Sequence, residues 1–229
     1  LSNRVYGPVD PLQGKSRHSI APGEKLPEEV LNRRNYRQIF SKLHPGCTLE
    51  ERLACLDDLR DLGIQTGSGF MIGLPDETLD VLAGNILLCR EFDLDMIGIG
   101  PYIPHPDTPL RDTVNAYESN PETFFKALAV LRLFNPDAHI PATTAFDAVF
   151  PGEGRTLALQ RGANIFMPNN TPVKYRKEYL LYPGKPGVDE EPEQCLEGAI
   201  VRIKTLGRSL GKGPGHSIKK RSKEVRCKV

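Results

Sequence analysis

Apolar residues recur along this chain at two alternating periods. Tyr36, Ile39, Phe40 and Leu43 fall at helical spacing and stop at His44-Pro45-Gly46, a punctuation that ends a helix. Thr48-Leu49-Glu50-Glu51 reads as a capping box, with the Thr48 hydroxyl set for the Glu51 amide and the Glu51 carboxylate reaching back. The helix it starts places Leu49, Leu53, Leu56 and Leu59 on one face and closes at Gly63. Thr66 to Pro75 then reads as a glycine-interrupted strand whose short side chains let another body approach the backbone. A helix over 77–91 turns Leu79, Leu82, Ile86 and Leu87 inward, and Met96, Ile97 and Ile99 begin a short buried strand. Asn120 as cap and Pro121 as first residue open another helix, which runs through Phe125, Leu128, Leu131 and Leu133 to Asn135-Pro136. The pattern continues with a strand at 139–144, a brief helix at 154–160 and a strand at 164–167. A helix at 193–206 carries Leu196, Ile200, Ile203 and Leu206 at core spacing.

Strand and helix alternate four times with short links, which is how a parallel sheet is built. The predicted fold class is α/β, a partial (β/α)8 TIM-type barrel comprising its carboxyl-terminal half, followed by a helix and a basic tail. Residues 1–34 are expected to form an atypical leader without compact structure, 35–190 the half barrel, and 191–229 the terminal helix and a solvated tail rich in lysine and arginine. A half barrel leaves two strand edges open, which predicts aggregation or a partner chain.

One loop stands out. From Asp95 to Leu110 the strand passes through Gly98 and Gly100 into a ribbon held extended by Pro101, Pro104, Pro106 and Pro109. Proline fixes φ and biases its predecessor to extended geometry, so Tyr102, His105 and Asp107 are presented from a stiff segment. The ribbon serves either as a structural connector or as a ligand-presenting loop at a strand's carboxyl end.

At 229 residues and 39% hydrophobic content the chain can bury one sizeable core. A net charge of +1 makes no general case for nucleic acid or an anionic membrane surface. No run of about 18 apolar residues predicts a membrane span. Cys47, Cys55, Cys89, Cys195 and Cys227 are odd in number and scattered, which argues for a reducing compartment, the cytoplasm or an organelle, over a disulfide framework. None lies at metal-clip spacing from another.

In a barrel the working groups sit at strand carboxyl ends, which selects Gly73-Leu74-Pro75, Pro101-Tyr102, Thr143-Thr144 and Met167. The two threonine hydroxyls either satisfy backbone groups or bind a polar or anionic ligand, and Met167 either packs in the core or makes a soft contact to sulfur or metal. No serine–histidine–acid set and no phosphate-binding glycine loop can be read.

Six segments carry a resemblance: Lys42-Leu-His-Pro-Gly, Gly67-Ser-Gly-Phe-Met-Ile-Gly-Leu-Pro, the Asp95–Leu110 stretch, Ile140-Pro-Ala-Thr-Thr-Ala, Gly162-Ala-Asn-Ile-Phe-Met-Pro-Asn and Leu181-Tyr-Pro-Gly-Lys. In this order they resemble the HydE family, radical S-adenosylmethionine maturases of FeFe-hydrogenase related to biotin synthase, over about Asn35 to Lys220. The resemblance implies a complete (β/α)8 barrel in which a 4Fe-4S cluster cleaves S-adenosylmethionine to a 5′-deoxyadenosyl radical. That radical acts on a small organometallic substrate, an iron–cysteine complex with CO and cyanide, on the way to the diiron unit of the hydrogenase. Other hydrogenase maturases are the partners it implies.

By the same resemblance Arg52 meets the methionyl carboxylate, while Gly69, Met71 and Gly73 border the cofactor and Met96, Ile99 and Pro101 neighbour its thioether and adenosine. Thr143, Thr144, Met167 and Tyr182 match the family's substrate cavity. Three departures accompany it. The family's Cys-x-x-x-Cys-x-x-Cys cluster loop is absent, so this chain is expected to supply neither metal ligands nor catalytic residues and to be inactive alone. Arg33-Arg34 stand where the family carries Glu-Thr. Of the three cysteines of an optional second cluster only Cys195 remains, with Gly187 and Gly198 at the other places. The alternatives are another biotin-synthase-like radical enzyme, such as a methylornithine synthase, and a non-catalytic ligand-binding remnant.

Overall fold

A computed structural model describes residues 3–6 and 33–219. In chain order the elements are β1 (Asn3–Tyr6), α1 (Arg33–Leu43), α2 (Leu49–Asp61), β2 (Gly67–Ile72), α3 (Leu79–Glu91), β3 (Met96–Pro101) and α4 (Glu122–Phe134). There follow α5 (Thr144–Val149), α6 (Gly154–Gln160), β4 (Ile165–Phe166), α7 (Val173–Arg176), a 3-10 turn at Lys177–Tyr179, α8 (Pro192–Thr205) and β5 (Ser209–Leu210).

The strands β2 and β3 pair in parallel along their whole length, Gly67 opposite Met96 through Ile72 opposite Pro101. Met96 bridges in parallel to His139, and Pro141 to Ile165 in β4. The series is therefore β2, β3, the 139–141 segment and β4, parallel βα units in sequence order, and the barrel is not closed. Alternation decides which face each residue serves. Ile72, Ile97 and Ile99 are buried against Leu82 and Ile86 of α3, Phe125, Leu128 and Leu131 of α4, Phe146 of α5 and Leu159 of α6. Their neighbours Gly67, Gly69 and Met71 are exposed on the opposite face.

The α2 capping box forms as the sequence predicts. Glu51 N donates to Thr48 Oγ1 at 3.2 Å and Thr48 N donates to Glu51 Oε2 at 2.8 Å. Of the leucines assigned to one face of α2, only Leu49 is buried.

Other helix faces differ from the expected ones. The third helix begins at Leu79, because Thr78 caps it by accepting from Val81 N at 3.3 Å, and that start leaves Leu79 66% exposed while Val81, Leu82, Asn85, Ile86 and Cys89 turn inward. On α4 Leu133, expected inward, is outward, and Pro121 occupies the cap position without any side-chain bond, so Asn120 does not cap the helix through its side chain. In α8 the buried residues are Ala199 and Ile203, with Leu196 outward. The expected strand at 139–144 stops early because Thr144 starts α5, a helix too short to show a period.

Within the segment read as a leader, residues 3–6 form β1, which pairs antiparallel with both β4 and β5. One of the two edges expected to be open is thus covered. The remainder of 1–32, and the tail beyond 219, lie outside the described residues. The described part of the basic tail is docked. Lys219 Nζ meets Asp93 at 2.6 Å and Leu94 O at 2.7 Å, and Ser217 N donates to Gln65 Oε1 at 3.0 Å. Ion pairing and a carbonyl, at a side chain only 13% exposed, outweigh the solvation expected for that lysine. Among the described residues no helix is long and apolar enough to cross a membrane.

Candidate functional site

Register builds the site. Along the exposed face of β2 and β3, Gly69 is opposite Gly98 and Met71 opposite Gly100. Gly100 in turn lies against Thr143, whose Oγ1 would be 2.6 Å from a Cβ there. Met71, Gly100 and Thr143 therefore form one row near the carboxyl ends of three neighbouring strand segments. The Thr143 hydroxyl donates to Ile99 O at 2.9 Å, which joins the third segment to β3 and leaves its oxygen lone pairs free as acceptors.

The adjacent Thr144 is hydrogen-bonded, hydroxyl to hydroxyl, to Tyr182. Tyr182 is half-buried, and burial pushes its phenol above the ordinary range while the Thr144 bond and the nearby Arg155 pull the other way. Met167, next after β4, is 47% exposed, as is Met71. An open recess of ≈ 700 Å³ lies beyond it, lined by Pro168, Asn169, Thr171, Tyr175 and Tyr179 among others.

Beneath Tyr182 a charged cluster is buried that sequence reading missed. Asp147 accepts from Arg155 Nε at 2.5 Å, from Arg155 N at 2.8 Å and from Arg202 Nη1 at 3.2 Å. The Arg155 guanidinium lies 4.3 Å from the centre of the Phe166 ring. Two cations share one carboxylate, so the cluster keeps a surplus positive charge near Tyr182. These residues sit eight and fifty-five positions apart in sequence, so no spacing rule could find them.

The loop after β2 is closed from within. Gly73 adopts φ +89°, and a Cβ would fall 1.8 Å from Asn115 Oδ1. Its amide donates to Glu77 Oε2 at 2.6 Å and its carbonyl accepts from Ala116 N at 2.9 Å. Asn115 Nδ2 donates to Ile72 O and Tyr102 O at 2.9 and 2.8 Å, tying the ends of β2 and β3. Burial pushes the Glu77 carboxyl up to about 7, against the Gly73 amide, which favours the ionised form. Both backbone groups of Gly73 are spent inside the fold, so this glycine shapes the loop and has no amide to offer a ligand.

The other predicted residues divide clearly. Met96 is half-buried and neighbours Gly67. Ile99 and Pro101 are buried on the helix side, which leaves only their backbone for a cofactor. Arg52 is exposed on α2, and its guanidinium makes no hydrogen bond or ion pair among the described residues. Tyr102 is not presented by the proline ribbon. It is buried, with its hydroxyl 2.9 Å from Thr113 Oγ1, because the ribbon folds back over it. His105 is held by Leu180 O at 3.1 Å, and Asp107 alone of the three stands exposed.

Gly187 and Cys195 are neighbours, a Cβ on Gly187 lying 3.8 Å from Cys195 Sγ, while nothing lies within 4 Å of one on Gly198. That region is stapled by Arg176, buried to 2% exposure, which donates to Thr171 O at 2.7 Å, Gly187 O at 2.6 Å and Asn169 O at 3.1 Å. Cys47, Cys55, Cys89 and Cys195 are free thiols. Among the described residues no three histidines, cysteines or carboxylates are grouped to hold a metal ion, so these residues do not fit an iron–sulfur cluster.

No family model matches the sequence. The FeFe hydrogenase maturase subunit HydE of Thermotoga maritima is 46% identical over 177 residues, covering 77% of this chain and 50% of the relative. A biotin synthase of Thermus thermophilus is 29% identical over 148 residues, 65% of this chain and 42% of the relative. Another, from a Sulfurihydrogenibium species, is 31% identical over 101 residues, 44% of this chain and 29% of the relative. The chain is a homologue of HydE and, more distantly, of biotin synthase, and it spans about half the length of the curated relatives it matches.

Proposed function

We propose that this chain, homologous over 77% of its length to the HydE maturase, is the carboxyl-terminal half of a radical S-adenosylmethionine barrel that helps assemble the diiron site of FeFe-hydrogenase. The observation that carries the reading is the 46% identity to HydE against 29% to the Thermus biotin synthase, which favours the maturase over other branches of the superfamily. In this reading the substrate is an iron–cysteine complex bearing CO and cyanide. The cluster ligands belong to the other half of the barrel, since the residues described do not fit a cluster.

The chain's own part is to wall the cavity. Met71 and Met96 offer thioether and apolar contact beside S-adenosylmethionine, and Ile99 and Pro101 offer backbone only. Thr143 and Thr144 present hydroxyl oxygens, Tyr182 is held in place by Thr144, and Met167 supplies a soft sulfur at the mouth. Arg52, exposed on α2, is the cation assigned to the methionyl carboxylate, a charge-assisted pair that orders only when that ligand is present. Gly69 and Gly73 act through the close strand approach and the loop turn that keep the wall in shape.

The test is anaerobic reconstitution with iron and sulfide, followed by assay for 5′-deoxyadenosine. The 229-residue chain alone should give none, and the same chain co-expressed with the amino-terminal half of the Thermotoga protein should give turnover. Turnover by the single chain, or none by the assembled pair, overturns the reading.

A further inference from the structure

A strand edge carries one row of amides and carbonyls and can serve one neighbour at a time. In β4, Ile165 spends its amide on Ile140 O at 3.2 Å and its carbonyl on Ala142 N at 2.9 Å. Successive residues direct these groups to opposite edges, so Phe166 serves the outer one. There Asn3 stands opposite Phe166 and Arg4 opposite Ile165, antiparallel. On its far side β1 is held by β5, Val5 opposite Leu210 and Tyr6 opposite Ser209. The sheet therefore ends in the order β4-β1-β5.

The polarity is the informative part. The series from β2 to β4 runs parallel throughout, and barrel closure requires the next strand on β4 to be parallel as well. An antiparallel β1 uses the same outer row, so it and a closing strand exclude one another. The occupied row is short, two residue pairs to β4 and two to β5, which makes it exchangeable.

We infer that β1 is a displaceable lock on the β4 edge, occupying the place of a parallel strand from an amino-terminal half barrel, so that assembly with such a half requires β1 to leave. The inference rests on the half-barrel reading above. Its competitor has a physical source, since the matched segment covers only 50% of the HydE relative.

The test compares the full chain with an Asn3→Pro, Val5→Pro variant, whose prolines remove amides from one edge of β1, and with an Asn3→Ala, Val5→Ala control that keeps them. By hydrogen-exchange mass spectrometry the proline variant should exchange the peptide containing Phe166 about tenfold faster than parent and control. Co-expressed with a tagged amino-terminal half of the Thermotoga protein, it should also co-purify in about tenfold greater yield. Unchanged exchange overturns the lock. Equal co-purification of parent and variant overturns the inference alone and leaves the half barrel standing. Capture of neither overturns the half-barrel reading, and the inference falls with it.

Discussion

Gly69 and Gly98 face each other across β2 and β3 in an unequal way: a Cβ on Gly69 would lie 1.9 Å from Gly98 O, whereas one on Gly98 meets only Ser68 O at 4.0 Å. Gly69→Ala should therefore cost about 1–3 kcal/mol by forcing two backbones apart, and Gly98→Ala should cost much less. Urea denaturation of the two variants checks this, and equal losses would remove the packing explanation for Gly69.

Glu77 links stability to pH. Burial raises its folded pKa from its ordinary 4.5 to about 7, so the native state holds a proton that the unfolded chain releases. The contribution is complete below about 4.5 and is lost as pH rises through about 7, where the buried carboxylate must ionise. Glu77→Gln keeps an acceptor for the Gly73 amide without the charge. It should stabilise the fold at pH 8 by at most about 3 kcal/mol and leave stability nearly unchanged at pH 4. Parallel melting curves across pH decide the matter.

Asp147 is the shared carboxylate of Arg155 and Arg202, and its side chain is 3% exposed. Asp147→Asn strands two guanidiniums that have no other carboxylate among the contacts described, at a cost of about 3–5 kcal/mol. Adding Arg155→Met to that variant should restore part of the loss. A variant as stable as parent in calorimetry would show the cluster to be solvated.

The Thr144 bond holds the Tyr182 phenol down against the upward push of burial. Thr144→Val should therefore move the Tyr182 titration still higher in alkaline absorbance difference spectra, with Tyr182→Phe identifying the signal among the seven tyrosines. Movement downward would contradict the assigned geometry.

Thr48 anchors α2 through a reciprocal pair of bonds with Glu51. Thr48→Ala should cost about 1 kcal/mol, read as a lowered melting temperature. An unchanged value would mean that α2 draws nothing from its cap.

Local rules account for what the sequence alone determined. The capping box at Thr48 and the parallel strand-and-helix alternation follow from short-range spacing and backbone sterics. Helix faces were less legible: the helix expected from 77 starts two positions later, capped by Thr78, with Leu79 at the solvent and Val81 inward. Pairing across the chain was decided only by tertiary structure, as for Asp147 with Arg202 and the Gly73 loop with Asn115, and the burial that makes Arg176 staple three loop carbonyls was not legible either. The same holds for β1, where residues whose composition promises no structure become a strand because an unpaired edge of β4 offers hydrogen bonds that local sequence does not announce.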